Sequence, residues 1–262
     1  MLITRDNIEQ INKIPSVRKV VSLVPSLTET IAELGAREKI AGVTRFCKYP
    51  KGICQKKPVV GGPKNFDLTR ILNLRPDVVV GVKEENDKER IIQLSEKVPV
   101  LLFDIIAPGD AYTMIENLGQ LLGREKQAKS MVKKIQNSLR GLPPKQPPRK
   151  CLYLIWKNPW MAAGDKTFIH QMLQLCGFKN IVEGRYPAIE EKHFREAEVI
   201  LLSSEPFPFS DKHRVLLQNQ YPGKKIHLVD GEMFSWYGSH MLQAGEYFRE
   251  CHLWNNSQGT LL

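Results

Sequence analysis

No apolar run in the 262-residue chain reaches the roughly 18 residues that a membrane-spanning helix needs. No two of its cysteines stand at CxxC spacing: Cys47, Cys54, Cys151, Cys176 and Cys251 are odd in number and far apart. That argues against a disulfide framework and against a structural zinc site. It leaves buried small hydrophobes in a reducing compartment, with Cys47 set apart by its place in a loop. The six histidines, His170, His193, His213, His227, His240 and His252, show neither HxxxH nor HxH spacing, and no bare-metal site assembles from them. His193 and His213 read as solvent-facing. Also missing are GxGxxG, GxxxxGK[ST], GxSxG and HExxH, so no phosphate loop, nucleophile elbow or zinc-protease motif supports an enzyme. The opening residues, MLITRDNIEQINKIP, lack the apolar core of a secretory leader. A product that truly starts at Met1 is therefore expected in the cytoplasm.

What is present describes a globular α/β protein. Hydrophobic residues make up 42% and charged residues 25%, ordinary for a packed soluble chain, and the length suits one large domain or two lobes. The net charge of +10 would suit an anionic partner. The bases are scattered, however, and aromatic residues do not interleave with them, so nucleic acid is not the expected partner.

Hydrophobic periodicity supplies the order of elements. KVVSLVP reads as a strand, SLTETIAELG as a helix with Ser26 and Glu29 forming a capping box, and IAGVT as a strand. DLTRILNLRP, starting at Asp67, and NDKERIIQLSEK are helices flanking the buried strand DVVVGV; VPVLLFDI is the next strand. This β-α-β-α-β rhythm predicts a parallel sheet covered on both faces. From Pro108 to Leu142 there is no strand. Apolar residues recur at helical spacing over about 30 residues, or about 45 Å, with Gly123 marking a kink or a junction. After the proline-rich GLPPKQPPRK the alternation resumes, from the strand KCLYLIW to the closing helix GSHMLQAGEYFRECHLW. The expected fold is α/β, two Rossmann-like lobes with central parallel sheets joined by one long backbone helix. The boundaries are 17–107, 108–142 and 149–254.

Three strings carry a resemblance: VVSLVPSLTETIAELGAREKIAGVTRFCKYP, VGGPKNFDLTRILNLRPDVVVG and WMAAGDKTFIHQMLQLCGFKNIV. In that order they resemble the helical-backbone substrate-binding proteins of ABC importers, the vitamin B12, ferric-siderophore and haem receptors. Cys176-Gly177 stands where that family usually has two glycines. The resemblance implies a ligand cleft between two lobes, no intrinsic cofactor, and a metal chelate as cargo: cobalamin or another corrinoid first, a ferric siderophore or haem second. It implies an ABC permease as partner, a monomer, and a periplasmic or cell-envelope location. The alternatives are a cytoplasmic corrinoid or chelate sensor or carrier, and an α/β enzyme. A buried acid/base pair would favour the enzyme.

The residues expected at the ligand lie in loops after strands, where α/β sheets bind. They are Pro25, Ser26 and Thr28 after the first strand, then Phe46 and Tyr49 in RFCKYP. Pro63 lies in GGPKNF, where some relatives carry a tryptophan that stacks on the corrin ring and this chain does not. Trp156 and Trp160 follow the first strand of the second half, and Phe234, Trp236, Tyr237 and His240 follow its last. Ser26 also reads as a plain helix cap, and Trp236 also reads as core. His240 reads either as an axial ligand to a chelated metal or as a surface or capping histidine. Permease docking, by the same resemblance, points to an acid on each half: Asp67, itself a helix cap, and Glu205 or Asp211.

Overall fold

The structure is a computed structural model that describes residues 1–142 and 147–250. Residues 143–146, within the proline-rich stretch, and Cys251, His252 and the end of the predicted closing helix lie outside the described residues. The chain divides into two units. One contains Met1–Ile105, Gly109–Ile135 and Tyr237–His240; the other contains Ile106–Pro108, Gln136–Trp236 and Met241 onward.

The first unit is built on strands β1 (Leu2–Ile3), β2 (Val20–Ser22), β3 (Ile40–Gly42), β4 (Val78–Val82) and β5 (Val100–Phe103). They run parallel in the order β1-β5-β4-β2-β3. β4 is buried along its whole length, as its unbroken β-branched run requires of a strand covered on both faces. The α-helices of this unit are α1 (Pro25–Ile31), α2 (Ile53–Lys56), α3 (Leu68–Asn73), α4 (Lys88–Ser95), α5 (Pro108–Leu122, from Gly109 on) and α6 (Glu125–Leu139, as far as Ile135). α3 and α4 start where Asp67 and Asp87 accept the Arg70 and Arg90 backbone N–H groups at 3.0 and 2.9 Å. The rod expected over 108–142 is two helices of 15 residues each. Gly123, at φ +67°, breaks it in a conformation that L-residues rarely adopt, so the junction reading holds and the kink does not.

The second unit holds β6 (Arg149–Trp156), β7 (Met161–Ala162), β8 (Phe178–Asn180), β9 (Val199–Ser203) and β10 (Lys225–Val229). The order is β10-β9-β6-β7, with β8 also on β6; every pairing is parallel except β6 with β7. Its helices are α7 (Phe168–Leu175), α8 (Glu191–Glu196), α9 (Asp211–Gln220), α10 (Glu232–Ser235) and α11 (Met241–Glu250). Leu152, Leu154, Ile200, Leu202, Phe194 and Leu217 form the core over this sheet. No helix among the described residues is long and apolar enough to cross a membrane.

Three buried tyrosines make the fold sensitive to alkali. Burial, and then the bond from its hydroxyl to Glu191, push the Tyr221 pKa up to about 12. Burial also raises Tyr153 and Tyr237 well above the usual range. Below pH 10 both folded and unfolded chains keep these protons. Above it the unfolded chain, with ordinary pKa values, loses them first. Stability is therefore expected to fall from pH 10 towards 12. Thermal melts across that range check this, and Tyr221→Phe should flatten part of the slope. An unchanged profile in the variant would contradict it.

Candidate functional site

The carboxyl ends of β2, β3 and β4 feed loops that meet at one edge of the first unit. Buried Asn86 ties them together. Its Oδ1 accepts the Val82 N–H at 2.8 Å, and its Nδ2 donates to the carbonyls of Pro63 at 3.0 Å and Leu23 at 3.4 Å. Pro63 thus holds a loop through its backbone. Phe46 is 56% exposed on this edge, more than any other large apolar side chain among the described residues. The Arg45 guanidinium lies 5.4 Å from its ring centre. Tyr49 is half-buried and its ring centre stands 5.7 Å from that of His240.

Several expected residues take other roles. Val24 is the residue that precedes α1, and Pro25 opens the helix, where its missing N–H costs nothing. Ser26 is therefore not the cap, and Glu29 does not close a capping box. Glu29 is buried and faces His240 instead, with Nδ1 at 3.1 and 3.2 Å from its two carboxylate oxygens. Ser26 is buried, and its Oγ meets no partner at full hydrogen-bond geometry, though it acts on the Tyr237 phenol against the upward shift. Thr28 has no exposed surface; its hydroxyl donates to Ser22 Oγ at 2.8 Å and lies 3.2 Å from Cys47 Sγ. A side chain so enclosed meets no ligand.

The segment Tyr237–His240 belongs to this same unit. The Tyr237 hydroxyl donates to Glu85, and the Ser239 N–H donates to Thr30 Oγ1 at 3.1 Å. Both Tyr237 and His240 are buried. Glu29–His240 is the kind of acid/base pair that an enzyme reading would look for. The pair is closed to the surface, with His240 1% exposed.

In the second unit, Trp156 ends β6 at 41% exposure, edge-on to Phe207 at 5.7 Å. Trp160 is committed to packing: it stacks on Phe209 at 5.9 Å and meets Phe194 edge-on at 5.7 Å. Phe234 is wholly buried against Tyr153 and Phe248, so it is core and not a ligand contact. Trp236 is 9% exposed, and its indole N–H donates to Glu205 at 2.8 Å. His213, expected to face solvent, is buried between Phe207 and Phe209. Burial, with Lys157 and Lys212 nearby, holds its pKa below the usual value.

The three candidate docking acids all have partners. Glu205 accepts from Ser235 and Trp236, Asp67 caps α3 and pairs with Arg70, and Asp211 pairs with Arg214 at 2.7 Å. No cluster of three or more His, Cys, Asp or Glu side chains that could hold a metal ion occurs among the described residues. Sequence reasoning missed Asn86 and Glu85, which organise the first edge. A cavity of about 290 Å³ in the first unit, between Ile11–Val17 and the end of α5, touches none of the expected ligand residues.

The chain is an α/β protein and belongs to the periplasmic binding protein family, whose sequence profile matches residues 20–201. It is 30% identical over 174 residues to the uncharacterized ABC transporter substrate-binding lipoprotein YvrC of Bacillus subtilis, covering 62% of this chain and 55% of that one. The chain thus spans little more than half the length of that relative. A vitamin B12-binding protein of Yersinia pestis is 24% identical over 197 residues, 72% of this chain and 70% of its own. Two solved structures share the fold. A periplasmic haem-binding protein from Pseudomonas aeruginosa has TM-score 0.76 and 19% identity, covering 93% of this chain and 96% of its own. The vitamin B12-binding protein BtuF of Vibrio cholerae has TM-score 0.75 and 17% identity, covering 88% and 95%.

Proposed function

We propose that this chain is the substrate-binding protein of an ABC-type uptake system in the cell envelope. Its cargo is a bulky, partly planar metal chelate: a corrinoid first, a ferric siderophore or haem second. The observation that carries the reading is the pair of exposed aromatic side chains, Phe46 in the loop after β3 and Trp156 at the carboxyl end of β6. Ligands bind α/β sheets at that edge, and an aromatic ring offers a flat ligand a large, rigid contact face. Tyr49 and Pro63 complete the first edge. The chelate brings its own metal, so no intrinsic cofactor is invoked. A permease would meet Asp67 and Asp211, whose side chains remain 47% and 61% exposed.

Titration of the intrinsic tryptophan fluorescence with cyanocobalamin, haemin and a ferric hydroxamate siderophore tests this. One of them should quench saturably with one molecule per chain. Trp156→Ala should weaken that binding roughly tenfold, in line with about 1–3 kcal/mol for stacking on an aromatic side chain, and leave the melting temperature in place. Linear, unsaturable quenching by all three would overturn the reading.

A further inference from the structure

The first edge carries a cation held in place and left without a carboxylate. Arg45 Nη2 donates to Asn65 Oδ1 at 3.0 Å, and the same oxygen accepts the Gly62 N–H at 3.2 Å. Gly62 has to be small here. A Cβ would stand 2.5 Å from Asn65 Oδ1 and 3.3 Å from both Arg45 Nη2 and the Phe46 ring. The loop therefore fixes the guanidinium against Phe46 at its open rim. Four acids around this edge are engaged elsewhere: Asp104 with Lys83 at 3.0 Å, Asp87 with the start of α4, Asp67 with Arg70, and Glu85 with Tyr237. Among the described residues Arg45 has no carboxylate partner. The segment around it, from Val43 to Gly52, contains Lys48 and Lys51 and no acid.

We propose that Arg45, positioned by Asn65 beside Phe46, receives an anionic arm of the ligand, so that the cargo is a carboxylate- or phosphate-bearing chelate rather than a neutral one. This rests on the chelate reading above and deepens it. A guanidinium offers several N–H donors in a planar fork that suits a carboxylate or phosphate. One donor is spent on Asn65, and that bond sets the plane of the rest. Phe46 supplies apolar surface for the ring system next to the charged arm.

The test compares haemin, which carries two carboxylates, with haemin dimethyl ester, the same ring with both carboxylates masked, and with cyanocobalamin as a further chelate. Each is titrated into the full chain and into Arg45→Met and Asn65→Ala. Haemin should bind the parent chain more tightly than its ester. Arg45→Met should weaken haemin roughly tenfold, as expected for a charge-assisted bond of about 1.5 kcal/mol, and leave the ester unchanged. Asn65→Ala should fall between. Raising the salt from low to about 0.3 M should weaken haemin and spare the ester. Because Arg45 is exposed, the melting temperature should not move. Equal affinity for diacid and ester, or an Arg45→Met variant that binds haemin as the parent does, would overturn the role of Arg45 while leaving the chelate reading intact. Failure of all three compounds to bind, and of a ferric hydroxamate siderophore titrated in parallel, would overturn both.

Discussion

Replacing Trp236 by Ala should cost about 3–5 kcal/mol of stability, the range for truncating a buried large aromatic residue. The ring is 9% exposed, and its N–H is spent on Glu205 at 2.8 Å. Removing it leaves a cavity in the interior of the second unit. It also takes the indole donor from the Glu205 carboxylate, which still accepts from Ser235 at 2.9 Å. Trp236→Phe should recover most of the packing and lose only the hydrogen bond, about 1 kcal/mol or somewhat more. Urea titrations of the two variants give both numbers. Full stability in Trp236→Ala together with lost chelate affinity would show instead that the ring faces the ligand.

The second large effect lies two residues on. Gly238 sits at φ +87°, and a Cβ there would stand 2.1 Å from Thr30 Oγ1. Thr30 Oγ1 bonds the Ser26 carbonyl at 2.8 Å and accepts the Ser239 N–H at 3.1 Å. Gly238→Ala therefore combines backbone strain of about 1–2 kcal/mol with the loss of buried hydrogen bonds at about 1–3 kcal/mol each. A loss above about 3 kcal/mol is expected by denaturant titration. Adding Thr30→Ala removes the hydroxyl in the way and should return part of it. A Gly238→Ala chain as stable as the parent would contradict the packing of Tyr237–His240 in the first unit.

The fold was legible where burial imposes a simple pattern. β4 is a β-branched run because both faces are covered, and α4 occupies Lys88–Ser95, within the NDKERIIQLSEK segment read as a helix. β1 escaped because two residues make no pattern; only the pairing of Leu2 with Val100 reveals it. The edge residues were harder to read for a different reason. Glu29 stands three positions after Ser26, so local spacing suggests a capping box, while its partner His240 is 211 residues away. Tyr237 and Glu85 are 152 apart. Aromatic density around Trp236 marks both a core and a binding wall, and only exposure separates Trp236 and Phe234 from Trp156. Phe46 and Tyr49 lie in the loop where they were expected, because a loop after a parallel strand has one edge of the sheet to emerge from.

Native mass spectrometry of the purified chain, equilibrated with cyanocobalamin, haemin and a ferric siderophore together, tests the central claim most directly. The account predicts a peak at the mass of one chain plus one chelate. A spectrum holding only the free chain at concentrations well above micromolar would contradict it.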